Sequence, residues 1–308
     1  MMSEQKLVQI PLAVVVVINW NNPSDTLHCL SSLNELDYTN YHVLVIDNGS
    51  DDDSLTLLTE ATKDNPYFTF LATGDNLGFS GGVNYGVARA LEMQADYIWL
   101  LNNDAEVAPD CLSSLIIAME ENPDVAIAGS KILLARERNT IWHAGATFAM
   151  YTGQPQHLGM GADINDPAYS SNKFVDYVTG SSLIIRKNSI ETIGIMDDRF
   201  YLYYEEADLC YRARNHGLKI LYVADSKLWH KVAASSTGYQ VRVYYEVRNR
   251  LLFTIKHKRS QFLFVLKYLI FHEFLKPLMS GNYKVAKSAL LGFVDFFTLK
   301  FGRLKYKL

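Results

Sequence analysis

Runs of apolar residues that stop abruptly at polar clusters dominate the first hundred residues. Four of these runs have the length of a strand and cover residues 13–18, 43–46, 68–71 and 97–101. The first is continuous and β-branched, as expected for a parallel strand that is covered on both faces. Residues 79–94, opened by glycines, predict one of the helices between the strands. This alternation predicts an α/β fold with an open, mostly parallel sheet and right-handed crossovers.

The polar clusters lie where sheets of this kind bind their ligands. Asn19, Asp47 and Asn102 each follow directly after an apolar run. The carboxyl ends of parallel strands meet at one edge of the sheet, and ligands bind beyond that edge. The sequence therefore predicts that one site can collect all three clusters.

The chain divides into three stretches. Residues 10–108 carry the strand and helix alternation, and residues 109–237 mix short strands with loops. After Gly238 the sequence becomes basic, aromatic and long-helical. We therefore expect a main domain over residues 1–237, made of two halves, followed by a helical extension over residues 238–308.

Composition and charge exclude several classes of protein. The 308 residues are 49% apolar and 20% charged, which excludes a wholly disordered chain. The net charge of −4 hides an asymmetry, since the segment 256–308 holds eleven Lys or Arg residues against two acids. An acidic body argues against nucleic-acid binding, and the basic tail predicts contact with something anionic.

Cysteines and targeting signals indicate the compartment. Cys29, Cys111 and Cys210 are odd in number and far apart, so we expect neither a disulfide framework nor a thiolate zinc site. Residues 1–9 lack the apolar region of a signal peptide. Both observations favour a cytoplasmic location.

The first two candidate clusters each allow a structural and a functional interpretation. Residues 47–53 are either a solvated turn or a loop in which Asp47 accepts a nucleobase N–H. Residues 76–86 have neither Walker nor dinucleotide spacing. Their glycines serve a turn with positive φ, or they let a phosphate-bearing ligand approach the start of a helix, with Asn76 and Asn84 flanking it.

Two further clusters contain carboxylates. Asp104 follows two asparagines, and it either lies in a solvated loop or helps to hold Mg²⁺ or Mn²⁺. His230 is either a structural histidine or a second ligand of the same ion. Glu205, Glu206 and Asp208 lie among aromatic residues, where desolvation raises a carboxyl pKa and suits a general base. For Asp208, an i,i+4 ion pair with the arginine at position 212 is the alternative.

Taken in order, these clusters resemble the family-2 glycosyltransferases, which are inverting enzymes with the GT-A fold. The resemblance covers roughly residues 14–250 and is greatest to the bacterial rhamnosyltransferase-like branch. It rests on the following segments of this chain: residues 17–21 (Val-Ile-Asn-Trp-Asn), 47–52 (Asp-Asn-Gly-Ser-Asp-Asp), 76–86, 102–104 (Asn-Asn-Asp), 205–206 and Arg248-Asn249.

The resemblance implies a role for each candidate residue. Asp47 would read the N3–H of a uracil or thymine ring, Asp104 and His230 would hold a divalent metal, and Glu206 would be the base. Glu205 and Asp208 would lie beside that base. The remaining nucleotide-binding residues would be Asn19, Asn21, Asn76, Gly81, Asn84 and Asn103. The half covering residues 10–108 would bind the nucleotide, and the half covering 109–237 would bind the acceptor.

This chain departs from the family pattern at two positions. The usual Asp-x-Asp is reduced to a single carboxylate, Asp104, so the loop offers fewer ligands to a metal. The usual Glu-Asp is Glu205-Glu206, which makes the base one methylene longer.

The expected function is transfer of a sugar from a UDP- or dTDP-sugar, with dTDP-L-rhamnose as one candidate donor. The acceptor would be a hydroxyl of a growing, lipid-linked bacterial surface glycan. A nucleotidyltransferase is an alternative, although residues 19–22 offer no basic loop for pyrophosphate. A donor-binding module without turnover is the other alternative, and a homo-oligomer stays open.

The basic tail also allows two interpretations. From residue 284 to 301, a helix would place Lys284, Lys287, Ser288, Asp295 and Thr298 on one side and Val285, Ala289, Phe293, Phe296 and Phe297 on the other. Residues 261–278 are too often interrupted by polar groups to predict a membrane span. These helices either pack on the catalytic domain or a second subunit, or they form a peripheral anchor on anionic lipid.

Overall fold

The computed structural model describes residues 10–149, 152–232 and 238–305. The expectation about a signal peptide in residues 1–9 lies outside these ranges, and so does the predicted domain boundary at residue 237.

The amino-terminal part forms the predicted parallel sheet. In sheet order the strands run β3-β2-β1-β4, and each neighbouring pair is parallel. The elements are β1 (Ala13–Asn19), α1 (Pro23–Leu33), β2 (Tyr41–Asp47), α2 (Ser54–Thr62), β3 (Phe68–Ala72), α3 (Gly78–Glu92) and β4 (Tyr97–Asn102). Strands β2 and β3 lie on one side of β1 and β4 lies on the other, so the strand order reverses direction at β1. This reversal opens a crevice at the carboxyl end of β1, where such sheets bind ligands.

The second part extends the same sheet and makes it mixed. Strand β11 lies antiparallel between β4 and β6, and β12 runs parallel to β6. The elements are β5 (Ala105–Val107), α4 (Cys111–Glu120), β6 (Val125–Leu134), β7 (Ile141–His143), β8 (Ala146–Phe148), β9 (Pro155–His157), β10 (Lys173–Phe174), β11 (Ser182–Arg186), α5 (Lys187–Ile193), α6 (Glu205–Asn215) and β12 (Lys219–His230). Strands β8 and β9 form a separate hairpin.

Apolar side chains cover both faces of the sheet. On β1, Val14 and Val16 face the layer that contains α3 and α6, while Val15 and Val17 face the layer that contains α1 and α4. Helix α3 lies very close to β1, because a Cβ at Gly86 would come within 2.4 Å of Val16. The continuous apolar run at positions 13–18 thus marks a strand that is buried on both sides.

The carboxyl-terminal helices pack on this domain. They are α7 (Tyr239–His257), α8 (Phe262–Leu269), a π-helical turn (Ile270–Leu275), α9 (Lys276–Met279) and α10 (Tyr283–Phe297). Within the described ranges, no helix is both long enough and apolar enough to span a bilayer.

The two sides predicted for the last helix need correction. Ser288 and Asp295, expected on the polar side, are buried where α10 meets α7, and the Tyr244 hydroxyl donates to Asp295 Oδ2 at 2.6 Å. Phe297, expected on the apolar side with Phe293 and Phe296, is 59% exposed, whereas those two are buried. A buried polar group is tolerated when its partner is also buried, and periodicity alone cannot predict that partner.

Candidate active site

The ends of β1 and β2 form a hydrogen-bonded polar cluster. Asn19 and Asp47 are opposite each other in the sheet register, and Asn19 Nδ2 donates to Asp47 Oδ1 at 2.9 Å. Ser50 donates to the same carboxylate from its hydroxyl and from its backbone N–H. Asn21, in a left-handed conformation, exchanges two hydrogen bonds with Asp51. These bonds hold the Asp47 carboxylate, which is 3% exposed, in one orientation.

Thr26 connects this cluster to the loop after β4. Its hydroxyl donates to Asn19 Oδ1 at 2.7 Å and accepts from Asn103 Nδ2 at 2.9 Å. The structure thus brings together Asn19, Asp47 and Asn103, which the sequence analysis placed at one sheet edge. Sequence reasoning missed Thr26, whose only signal is a hydroxyl in the first turn of α1.

The glycine-rich loop is tied to the end of β2 by a second residue that was missed, Asn48. Its side chain donates to Gly78 O at 3.0 Å and accepts from Leu77 N at 3.1 Å. Asn76 Oδ1 accepts from Gly78 N and from the Tyr201 hydroxyl. Gly78 has a φ of +74°, and a Cβ there would lie 2.5 Å from the Tyr201 ring, so this position requires glycine.

The other two residues assigned to the nucleotide have different surroundings. Gly81 is half-buried in the first turn of α3, beside the side chain of Leu77. The Asn84 side chain exchanges hydrogen bonds with the backbone of Met196 and donates to Asp198 Oδ1. Asn84 therefore joins α3 to the loop before α6, and both ends of its amide have protein partners.

Asp104 and His230 lie side by side, because β5 pairs with the end of β12. His230 is opposite Ala105 in the register, and its Nε2 lies 2.8 Å from Asp104 Oδ1. Asn102 Nδ2 lies 3.2 Å from the same nitrogen. The Asp104 and His230 side chains are 12% and 8% exposed.

This pair fits a divalent metal as a partial ligand set. The Asp104 carboxylate and the His230 Nε2 lie next to each other. A carboxylate oxygen and an imidazole nitrogen are both ligands that Mn²⁺ binds. Among the residues that the structure describes, no group of three His, Cys, Asp or Glu side chains could hold a metal. Two protein ligands leave several coordination positions to substrate oxygens and water, as is usual for Mg²⁺ at phosphate sites.

Glu206 lies in the first turn of α6 and has one free oxygen. The Tyr177 hydroxyl donates to Glu206 Oε1 at 2.9 Å, whereas Oε2 is buried and has no hydrogen-bond partner among the described residues. Burial raises the pKa of the Glu206 carboxyl, and hydrogen bonds from the backbone and from Tyr177 oppose this rise. Burial and the neighbouring charge of Glu206 raise the pKa of Glu205 well above its ordinary value. A carboxylate with one held and one free oxygen is suited to accept a proton.

Asp208 has different partners. Its carboxylate is fully buried and contacts Arg212, Lys256 and His257 at 2.8, 2.7 and 2.6 Å. The ion pair with Arg212 that the sequence analysis considered is therefore present. Burial alone would raise the Asp208 pKa, but the hydrogen bond from His257 and the positive charges of Arg212 and Lys256 lower it. The negative charge of Asp208 is neutralised within the protein.

A strained tyrosine segment precedes the Glu206 helix. Tyr201, Tyr203 and Tyr204 all have positive φ, which costs energy in residues with a bulky side chain. Asn249 Nδ2 donates to the carbonyls of Phe200, Leu202 and Tyr203, each at 2.8 Å.

Arg248 adds hydrogen bonds to the carbonyls of Arg199 and Phe200. The Arg248-Asn249 pair, noted in the sequence only as a motif, thus holds the segment that leads into α6. Tyr201 of this segment also contacts Asn76 and Gly78.

Comparison with solved structures identifies the class of fold. The chain matches the mannosyltransferase PcManGT from Pyrobaculum calidifontis, solved with GDP-Man and Mn²⁺, with a TM-score of 0.58 and 13% identity over 96% of this chain and 77% of that one. It matches GalNAc-T7, solved with UDP, GalNAc and Mn²⁺, with a TM-score of 0.61 and 13% identity over 86% of this chain and 58% of that one. The mixed sheet flanked by helices is therefore the GT-A fold of glycosyltransferases, as the sequence predicted.

The family follows from the sequence comparison. The model of glycosyl transferase family 2 matches residues 14–191, and the chain belongs to this family. The chain is 25% identical over 240 residues to an N-acetylglucosaminyl-diphospho-decaprenol L-rhamnosyltransferase of Mycobacterium tuberculosis, covering 73% of this chain and 77% of the relative. It is 24% identical over 252 residues to the dTDP-rhamnosyl transferase RfbF of Shigella flexneri, covering 79% of each. The expected enzyme class, a glycosyltransferase, is confirmed.

Proposed function

We propose that the protein transfers a sugar, with inversion, from a pyrimidine nucleoside diphosphate donor to a hydroxyl of a glycan, with Glu206 as the base. The observation that carries this proposal is the Glu206 carboxylate, whose Oε1 is held by Tyr177 and whose Oε2 has no hydrogen-bond partner in the described part of the chain. Rhamnose bound to dTDP is the donor we favour, because similar proteins in Mycobacterium tuberculosis and Shigella flexneri are named as rhamnosyltransferases.

The nucleotide would bind at the carboxyl ends of β1 and β2. Asp47, held by Asn19 and Ser50, would accept an N–H from a uracil or thymine ring. The glycine-rich loop at the start of α3 would lie against the phosphates, where a helix amino terminus favours negative charge.

The transfer is a single displacement. The O–H bond of the acceptor breaks, its proton moves to Glu206 Oε2, and the oxygen's electron pair forms a bond to the anomeric carbon. The bond from that carbon to the diphosphate oxygen breaks, and its electron pair leaves with the nucleoside diphosphate. One carboxylate suffices, and no covalent enzyme intermediate is required.

Asp104 and His230 would hold Mg²⁺ or Mn²⁺, as the donor set allows. When bound, such an ion neutralises the negative charge that develops on the leaving diphosphate. The GT-A structures with 13% identity were solved with Mn²⁺, which supports this part of the proposal.

We also propose that the enzyme works at the cytoplasmic face of a membrane, on a lipid-linked acceptor. The outward faces of the carboxyl-terminal helices expose large apolar side chains at helical spacing. These outward residues, which we call the apolar ridge, are Leu263, Ile270, Phe271, Leu278, Met279, Tyr283, Leu290, Val294 and Phe297. Exposed lysines at positions 267, 276, 284 and 287 lie along the same helices. Apolar residues among lysines favour anionic lipid as the occupant of this surface.

The test of the central claim is Glu206→Gln, which keeps the shape of the side chain and removes the proton acceptor. We expect turnover to fall by roughly 10²–10⁴-fold, because general-base catalysis contributes that much. Binding of the nucleoside diphosphate, measured by calorimetry, should remain unchanged. Turnover can be followed as nucleoside diphosphate release with a panel of acceptors.

Asp208→Asn is the matched variant on the same helix. It leaves the cations around residue 208 without their buried counter-charge, so we expect the free energy of unfolding to fall by about 3 kcal/mol. If instead folded Asp208→Asn loses turnover and Glu206→Gln stays active, then Asp208 is the base and our assignment is wrong. If the wild-type protein binds donor but turns over with neither acceptor nor water, the binding-module alternative holds.

A further inference from the structure

Tyr177 is a buried side chain that contacts the proposed base but takes no part in the bonds that form and break in the transfer. It lies in the segment between β10 and β11, is 5% exposed, and directs its hydroxyl at Glu206 Oε1 at 2.9 Å. No sequence motif points to it, because it is far from α6 along the chain. Its contact with the base nevertheless determines which oxygen of Glu206 is free.

The backbone of Tyr177 is fixed by the hairpin next to it. Ala146 N donates to Tyr177 O at 2.9 Å, and Tyr177 N donates to Ala146 O at 3.2 Å. This pairing is a bridge between the segment before β11 and the first residue of β8. The Cα of Tyr177 therefore has little freedom to move relative to the hairpin.

The ring of Tyr177 is fixed by aromatic neighbours. The His143 ring meets it edge-on with centroids 6.1 Å apart, and Phe148 meets it at 5.9 Å. His143 belongs to β7 and Phe148 to β8, and β8 also holds the backbone of Tyr177 through Ala146. The hydroxyl is thus preorganised toward Glu206, so little conformational entropy is lost in keeping the hydrogen bond.

We propose that Tyr177 is a positioning residue for the base: its hydroxyl holds Glu206 Oε1 and leaves Oε2 to accept the acceptor's proton. This inference rests on the proposed role of Glu206. A hydroxyl that donates to a carboxylate stabilises the ionised form, which is the form that a base needs. Burial and the charge of Glu206 keep the pKa of Tyr177 well above its ordinary value, so the hydroxyl retains its proton and remains a donor.

Other groups near Glu206 favour or disfavour the charged form of its carboxyl. Glu205, beside it on α6, disfavours a second negative charge, and Cys210, one turn further on, is a buried neutral thiol. A backbone hydrogen bond at Gly180 favours the charged form. Among the described residues, Tyr177 is the only side chain with a hydrogen bond to the Glu206 carboxylate.

The test is Tyr177→Phe, which keeps the ring and its packing and removes only the hydroxyl. Without that donor the Glu206 pKa rises, so the acid limb of the pH profile of kcat should move to higher pH. At neutral pH we expect kcat to fall about 10- to 100-fold, as expected for a lost hydrogen bond to a charged group. The affinity for the nucleoside diphosphate, measured by calorimetry, should not change, which also shows that the variant is folded.

Tyr211→Phe is the matched control, because Tyr211 belongs to the same aromatic group around Phe148 and is not a partner of Glu206 in the structure. It should leave the acid limb in place.

The double variant Tyr177→Phe/Glu206→Gln separates this inference from the proposed function. If Tyr177 acts through Glu206, the double variant should turn over within about twofold of Glu206→Gln alone. A further loss in the double variant, or an acid limb that stays in place in folded Tyr177→Phe, overturns the role of Tyr177. Full activity of Glu206→Gln overturns the base assignment itself.

Discussion

At the scale of single residues, the partners of each carboxylate distinguish the candidate roles. Asp208 is surrounded by cations, Glu206 has one oxygen held by Tyr177 and one free, and Asp104 faces an imidazole. The family resemblance gave Glu206 the role of base and Asp104 that of metal ligand, but residue type and spacing do not show which charges are neutralised internally. The ion pairs of Asp208 make it a structural residue, which is why we propose Glu206 as the base and Asp104 as a metal ligand.

The pair of Asp104 and His230 predicts a metal requirement. A chelator should abolish turnover, and Mg²⁺ or Mn²⁺ should restore it. Asp104→Asn and His230→Ala should each raise the metal concentration that gives half-maximal turnover by about tenfold or more, because each removes one of the two ligands that this pair offers. Asp110→Asn, an exposed acid at the start of α4, is the control and should need no additional metal. Turnover that persists in chelator would contradict this role.

At the scale of elements, the parallel half of the sheet and the positions of its polar ends could be predicted. The reason is that a parallel strand buried on both faces needs a continuous apolar run, so the first polar residue after the run marks the end of the strand. The α10 face, the left-handed tyrosines before α6 and the contact between Tyr177 and Glu206 could not be predicted. Each depends on a partner that is distant in sequence: Tyr244 for Asp295, Asn249 for the segment that contains the tyrosines, and β8 for Tyr177.

The hydrogen bonds from α7 to the tyrosine segment can be tested with Asn249→Ala. Three carbonyls, buried or partly buried, would lose the donor that they share, so we expect the free energy of unfolding to fall by about 3 kcal/mol. We also expect kcat to fall more than nucleotide affinity, because the segment leads directly into the helix that carries Glu206. Denaturant unfolding and steady-state kinetics would measure both.

Asn215→Ala, at the exposed end of α6, is the control for the loss of an amide. It should change neither quantity appreciably. If Asn249→Ala lowers stability but leaves kcat unchanged, α7 supports the fold without positioning the base.

At the scale of the whole molecule, the carboxyl-terminal helices have one face packed against the domain and one face exposed. Val285, Ala289, Phe293 and Phe296 pack inward, so these residues fulfil the packing alternative of the sequence analysis. The apolar ridge lies on the opposite side of the same helices. Packing and membrane contact are therefore compatible, because they use different residues.

We predict that the full-length protein sediments with anionic vesicles at low salt and is released as salt rises, since screening weakens lysine contacts with lipid. Phe271→Glu/Phe297→Glu, two exposed substitutions in the apolar ridge, should abolish sedimentation without unfolding the protein. Leu55→Glu/Ile117→Glu, at exposed apolar positions elsewhere, should sediment like the wild type.

Analytical ultracentrifugation without vesicles tests whether a second copy of the protein, rather than lipid, covers the apolar ridge. A dimer that the Phe271→Glu/Phe297→Glu variant dissociates, together with no vesicle binding by the wild type, would make the ridge a subunit interface. The membrane proposal would then be wrong.

The position of Thr26 has a consequence for redesign of the donor site. Its hydroxyl serves Asn19 and Asn103 at once, although it belongs to neither of the segments that contain them. A single hydroxyl oxygen can donate to one amide and accept from the other. A chimera that takes residues 19 and 103 from another family member must therefore import the matching residue 26, or the side chains at 19 and 103 will lose the contact that joins them.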